Sequence, residues 1–272
     1  MNRIFAIFLT LALFCISAIS EEAPKKSVFV FSAATGSINN EVKFEVPGSS
    51  VSQVLKDSGQ LYGIYMLYAV PNLIIGSSGD FSILGKSSEN NYLFFTRYFF
   101  GNEGEIQPVF GLTVDYISFY TQLNTADVPP LSSLDVDSSI WGTHATAGIS
   151  FKISDLKLSP FIGYFNEQVN TVVTSPGMLV AGVNKYGFKS TSYVSLNYFS
   201  LGSGFDLVLY HFLRLSSSVY FRFGQNEPAL FTARNRIDVF LSREFGLSCK
   251  IDYFQDKYET NSFITVGPVL VF

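Results

Sequence analysis

The sequence predicts an all-β protein: a transmembrane, antiparallel, up-and-down β-barrel of twelve strands, with ten as the smaller number that the pattern allows. Three observations predict it. Short segments that alternate apolar and polar residues recur along the chain. No uninterrupted apolar stretch reaches the roughly 20 residues that a spanning helix requires. The composition is rich in aromatics and poor in charge, with 16% Phe, Trp and Tyr against 15% Asp, Glu, Lys and Arg, where soluble domains carry about 25% charged residues. A soluble fold would have to hide 28 Phe and 15 Tyr with few charges left for its outside. A barrel turns such residues toward lipid and into interfacial girdles.

Residues 1–20 read as an export signal. Arg3 supplies the positive start, Ile4 to Ile16 a nearly unbroken apolar stretch, and Ala18-Ile19-Ser20 a small-x-small cleavage site before Glu21-Glu22. Cleavage is expected after Ser20, leaving residues 21–272 as a single barrel domain. A lipoprotein reading through Cys15 fails on Phe14, which occupies the place where a small residue is needed. Without Arg3 the basic count falls from 18 to 17 against 22 acidic residues, a net charge of −5. The basic residues are scattered, so nucleic-acid binding has no electrostatic footprint. Cys249 is then the single cysteine, which excludes an intramolecular disulfide and thiolate metal sites.

The strands follow from period-two patterning. Over Ile106 to Leu123, Pro108, Phe110, Leu112, Val114 and Tyr116 oppose Gln107, Gly111, Thr113 and Asp115. From Trp141 to Ile153, Trp141, Ala145, Ala147, Ile149 and Phe151 oppose Gly142, His144, Thr146, Gly148, Ser150 and Lys152. Leu215, Val219, Phe221 and Phe223 oppose Arg214, Ser216, Ser218, Tyr220 and Arg222. Leu247, Cys249, Ile251 and Tyr253 oppose Ser248, Lys250 and Asp252, and a last strand carries Ile264, Val266, Pro268, Leu270 and Phe272 on one face. Residues 61–76 are read as one long strand with a bulge at Pro71. Two weaker strands, 28–34 and 41–46, raise ten to twelve. Tight connections are expected at 101–105, 154–156, 211–213 and 244–246, with longer polar ones at 77–90, 124–139, 174–189 and 225–234. Short turns at one end and long loops at the other give a barrel its asymmetry.

The second face mixes Gly, Ser and Thr with isolated charges of both signs, as a narrow lumen needs. The candidate lumen residues are Arg97, Asp115, His144, Lys152, Glu167, Asp206, Arg214, Arg222, Arg236, Asp238, Lys250 and Asp252. Charges on such a wall should pair, because a lone desolvated one costs several kcal/mol. They form either a plugging network of ion pairs or a charged constriction that filters small solutes. His144 and His211 are the only histidines, and no His–Ser spacing marks a catalytic pair. Asp127, Asp135 and Asp137 fall in one expected loop around Pro129-Pro130, with a spacing that matches no calcium motif. Gly202-x-Gly204 lacks the following helix that a phosphate loop requires. No metal or cofactor is expected.

Pro108-Val109-Phe110-Gly111 and Pro160-Phe161-Ile162-Gly163 repeat a pattern directly after short turns. Leu201-Gly202-Ser203-Gly204-Phe205-Asp206 leads through a turn into Leu215–Phe223. With the terminal Phe272 and its alternating partners, the chain resembles the bacterial outer-membrane β-barrel proteins. The resemblance covers the whole of residues 21–272, is generic in pattern and carries no activity. It implies the outer membrane of a Gram-negative-type bacterium, contact with outer-membrane lipid, and a terminal strand, Leu270 and Phe272 included, read by the barrel-assembly machinery. A structural or surface protein, or a narrow passive channel for small solutes, is the expected function. Two alternatives stay open: a barrel hydrolase centred on His144 near the outer rim, and a soluble secreted β-sandwich.

Overall fold

A computed structural model describes residues 27–45, 52–101, 106–124, 133–180, 183–185, 187–209, 212–225, 229–255 and 259–272. The export signal, Cys15, Asp127, Pro129-Pro130 and His211 lie outside the described residues. The strands run β1 (Val28–Glu45), β2 (Ser52–Val70), β3 (Leu73–Leu84), β4 (Ser87–Phe99), β5 (Gln107–Asn124), β6 (Ser133–Ile153), β7 (Leu156–Ser175), β8 (Met178–Val180), β9 (Val183–Lys185), β10 (Phe188–Leu209), β11 (Leu213–Phe223), β12 (Leu230–Phe240), β13 (Phe245–Gln255) and β14 (Glu259–Val271). β8 and β9 form a small separate hairpin between β7 and β10. The other twelve close one antiparallel ring in which β1 pairs with both β2 and β14.

Side-chain parity decides what the ring shows to each side. Phe110 and Phe221 are 56% and 43% exposed on the outer surface, whereas Asp115 and Arg222 are 7% and 0% exposed. This inversion of a soluble fold, apolar out and polar in, together with the closed ring, overturns the β-sandwich reading. Aromatic rings line up across neighbouring strands toward the loop end, Phe81 to Tyr92 at 5.5 Å and Tyr116 to Trp141 at 4.6 Å. A second row lies toward the end where the termini meet, with Tyr98 to Phe100 at 4.7 Å and Phe29 to Phe272 at 6.1 Å. Two aromatic belts flanking an aliphatic band suit the two faces of a bilayer. One polar pair at outward positions is hydrogen-bonded, Ser217 Oγ donating to Asn235 Oδ1 at 2.7 Å.

The ring is sealed by backbone at its seam. Phe272 N–H donates to the Phe29 carbonyl at 2.8 Å, and Phe29 N–H returns the bond to Phe272 at 3.0 Å. Gly36 and Gly267 let β1 and β14 approach: a Cβ on Gly36 would overlap the Ile264 carbonyl, and one on Gly267 the Ala33 carbonyl. Val269 beside them is fully buried.

Twelve strands form the ring, but two boundaries differ from the sequence expectation. The segment 28–34 and residues 41–45 of the segment 41–46 belong to a single strand, β1, and 61–76 is not one strand. Pro71-Asn72 forms the β2–β3 turn rather than a bulge, because proline has no N–H for a ladder and Pro-Asn is turn chemistry. The Asn72 carbonyl accepts from Phe99 N–H at 2.9 Å.

The long connections expected at 77–90, 124–139 and 225–234 are also shorter than read. Residues 77–84 and 87–90 are strand, joined by a tight turn at Gly85-Lys86. Asp57 of β2 holds this turn, accepting from Gly85 N–H at 3.0 Å, Lys86 N–H at 2.9 Å and Ser87 Oγ at 2.7 Å. Asp135 and Asp137 sit on β6, in register with Gln122 and Tyr120, and Arg234 sits on β12. Over 77–90 and 230–234 the lumen-facing polar residues imitate loop composition, whereas Asp135 and Asp137 share the outward parity of Trp141, at the loop end of β6.

Two outcomes test this architecture. Gly36→Leu should block the seam and abolish the heat-modifiable folded band on semi-native gels; a folded band of wild-type intensity would contradict the closure. Ile251→Arg, placing a cation halfway along β13 on the lipid face, should cost about 2–4 kcal/mol in guanidine unfolding from lipid bilayers. A loss below about 0.5 kcal/mol would show that this face does not meet acyl chains.

Candidate functional site

The lumen is the candidate site, and side chains cross it at several levels. Toward the end where the termini meet, Arg214 grips Asp206 with two bonds, Nε to Oδ1 at 2.9 Å and Nη2 to Oδ2 at 2.6 Å. Arg236 Nε donates to Asp238 Oδ1 at 2.7 Å, and its guanidinium lies 4.3 Å from the Tyr65 ring on β2, across the barrel. Lys157 stands 3.9 Å over the Phe99 ring. Such partners offset part of the desolvation cost that a lone ion would carry.

At mid-height Lys250 of β13 reaches across to Asp80 of β3 at 3.1 Å and also contacts Asp252 at 3.4 Å. His144 Nε2 and Ser200 Oγ are 2.7 Å apart, joining β6 to β10. Gly163 of the intervening β7 makes the contact possible, since a Cβ there would stand 2.7 Å from Ser200 Oγ and 2.8 Å from His144 Nε2. The imidazole packs against Phe165 at 5.6 Å and Tyr220 at 5.3 Å. His144 and Ser200 are 6% and 0% exposed. Among the described residues no carboxylate is hydrogen-bonded to this histidine. A histidine that activates a nucleophile is itself held by a third group; here the His144 ring borders the lumen cavity and is packed by Phe165 and Tyr220.

Toward the loop end the lumen fills. Arg222 donates to Glu167 Oε2 at 3.2 Å and to the Gln255 carbonyl at 2.6 Å. Its guanidinium lies 4.8 Å from the Phe165 ring and 4.9 Å from that of Phe254. Phe165, Tyr198 and Leu230 pack beside it. Glu89 accepts from Asn40 at 3.0 Å and Asn261 at 3.1 Å, bridging β4, β1 and β14. Two apolar clusters close the same end, Leu123–Leu134–Val136 and Ile38–Leu61–Leu84. Below them a cavity of about 360 Å³ extends along the barrel to Phe99, Val109 and Lys157 near the opposite strand ends.

The sequence-derived candidates therefore fall into three positions. Arg97, Asp115, His144, Asp206, Arg214, Arg236, Lys250 and Asp252 border this cavity. Glu167, Arg222 and Asp238 are buried in the wall or the plug. Lys152 is exposed at the end of β6, in register with Lys157, and is not part of the cavity wall. Leu270 is half-buried, and Phe272 is 70% exposed at the rim. Asp80, Glu89 and Arg234 also line the lumen and were missed, because their stretches were read as loops. Their alternation with Ser78, Ser82 and Thr232 was the available signal. Charge is uneven along the axis: among the described residues Arg97, Lys157, Arg214 and Arg236 outnumber Asp206 and Asp238 toward the end where the termini meet, while Asp80, Glu89, Asp115, Glu167 and Asp252 lie deeper with Arg222, Arg234 and Lys250. No cluster of His, Cys, Asp and Glu able to hold a metal occurs among the described residues.

No protein-family model matches the chain, and no curated protein does. Solved structures do resemble it. The translocator domain of the autotransporter NalP from Neisseria meningitidis is 12% identical, with a TM-score of 0.55 over 98% of this chain and 96% of that one. The toluene transporter TodX from Pseudomonas putida is 6% identical at 0.44, covering 92% and 89%. The KdgM porin, solved with disordered oligogalacturonate, is 8% identical at 0.41, covering 88% and 99%. At such identities the NalP likeness is one of fold: this chain has the closed twelve-strand architecture of an outer-membrane β-barrel.

Proposed function

We propose that the protein is an integral outer-membrane β-barrel of a Gram-negative-type bacterium, serving as a non-catalytic structural or surface protein whose lumen is closed to through-flow. The observation that carries this reading is the plug at the loop end, where Arg222, Glu167, Phe165, Tyr198 and Leu230 fill the section above the cavity. The termini then lie on the periplasmic side and the longer connections outside. Export through residues 1–20 with cleavage after Ser20 belongs to this reading. So does recognition of Leu270 and Phe272 by the barrel-assembly machinery, supported by the exposed position of Phe272.

A second reading is a narrow passive channel. It is favoured by one feature: the cavity is continuous from mid-barrel to the periplasmic strand ends, so that the plug alone separates it from the outside. Opening would require the Arg222–Glu167 pair to part, which makes that pair the gate of such a channel.

Planar-bilayer recordings decide between them. The wild-type protein should show no single-channel steps in 1 M KCl, while a Glu167→Ala/Arg222→Ala/Leu230→Ala variant that still shows heat-modifiable folding should conduct. Sustained wild-type steps would favour the channel reading over the closed one. Cell fractionation tests location: the protein should partition with outer-membrane lipid, and recovery in the soluble periplasmic fraction would overturn the proposal.

A further inference from the structure

Among the described residues, one cation of the cavity wall, Arg97, has no ion-pair partner. Arg97 projects from β4 so that its Cγ is 3.6 Å from the Cβ position of Gly111, and its Nη1 is 3.8 Å from that of Gly204 on β10. The side chain thus lies across the lumen, with room provided by two residues that have no side chain. None of the lumen's ion pairs among the described residues includes Arg97. The ionisable groups that interact with it electrostatically include the Tyr65 phenol, a second guanidinium, Arg234, and the His144 imidazole, none of them an anion. Arg234 differs, having Asp252, Asp115 and Asp80 around it at longer range.

Guanidinium does not shed its proton, so half-buried Arg97 keeps its charge. A partly desolvated charge favours a counter-charge beside it, and every other cation on this wall has an acidic or aromatic partner among the described residues within contact distance, Arg234 excepted. The space beside Arg97 has the properties of a ligand pocket. At about 360 Å³ it lies at the small end of the roughly 300–1,000 Å³ typical of such sites. Phe161 and Tyr220 contribute an aromatic wall, and Thr146 and Ser218 a few polar groups. The excess of basic side chains toward the periplasmic strand ends would draw an anion inward from that side.

The geometry points to a binding site for a small organic monoanion, a carboxylate carrying one apolar ring or branched aliphatic body. The carboxylate sits bidentate on the Arg97 guanidinium, facing Arg234, and the body packs against Phe161 and Tyr220. The fork of guanidinium donors matches the two carboxylate oxygens. The inference rests on the barrel reading above and does not depend on whether the plug ever opens.

The test uses purified, folded barrel in detergent micelles and three probes of similar shape: 4-fluorobenzoate, 4-fluorobenzyl alcohol and 4-fluorobenzylamine, followed by ¹⁹F NMR. 4-Fluorobenzoate should bind saturably, with the alcohol and amine at least about tenfold weaker, in keeping with a charge-assisted pair. Arg97→Met should weaken 4-fluorobenzoate about tenfold or more while keeping heat-modifiable folding, and Arg97→Lys should recover part of the loss. Arg234→Met serves as a second variant if Arg97→Met does not fold, with a smaller weakening expected. Equal binding of all three probes, binding unchanged in the variants, or a response to chloride and phosphate but not to 4-fluorobenzoate would overturn the site. An absence of probe binding in a protein that fractionates with the outer membrane and does not conduct would remove this inference and leave the proposed function standing.

Discussion

The structure depends on the hydrogen bonds that join β1 to β14. In hydrocarbon an unpaired backbone N–H or C=O costs several kcal/mol, and no water is present to satisfy it. A sheet with free edges cannot exist there, so twelve strands must end where they began. The reciprocal bonds between Phe29 and Phe272 mark the end of that seam, and Gly36 and Gly267 supply the close approach that it requires. Outward Phe, Leu, Ile and Val become tolerable only after closure, because only then is the surface they coat free of exposed backbone.

Closure also creates an interior problem. A ring of this size encloses a polar volume that is neither a packed apolar core nor bulk water. The chain fills it with long side chains that span from one wall to another: Lys250 to Asp80, Arg236 to Tyr65, and Arg222 to Glu167 and the Gln255 carbonyl. Each bridge ties strands far apart in sequence, so the lumen contacts brace the cylinder against flattening while neutralising one another. The apolar clusters at the loop end complete the plug. What remains open is the cavity around Arg97, which has no ion-pair partner among the described residues.

Much of the fold was legible in the residues. Alternation over β5, β6, β11, β13 and β14 was unambiguous because their outward positions hold large apolar residues and their inward ones small or charged residues. β3 and β4 were not legible, since Ser78, Asp80, Ser82, Glu89 and Asn91 face inward and make a hairpin look like a polar loop. β1 was split because Ser37, Asn39 and Asn40 interrupt its apolar pattern near the loop end. The strand number came out as twelve although a turn at Pro71-Asn72 replaced an expected boundary within 28–46. Pairings were the hardest to foresee. His144 and Ser200 lie 56 residues apart in sequence, and their contact follows from the registers of β6 on β7 and β7 on β10. No local pattern encodes such a register; it is set by packing and by glycines such as Gly163.

Amide hydrogen exchange of the folded barrel in micelles tests the closure most directly. Along the seam, the amides of residues in β1 and β14 around Val30–Val271, Thr35–Val266 and Ile38–Phe263 should be as strongly protected as those between β5 and β6. Rapid exchange confined to β1 and β14, with the other strands protected, would mean an open sheet with two free edges, and would contradict the account.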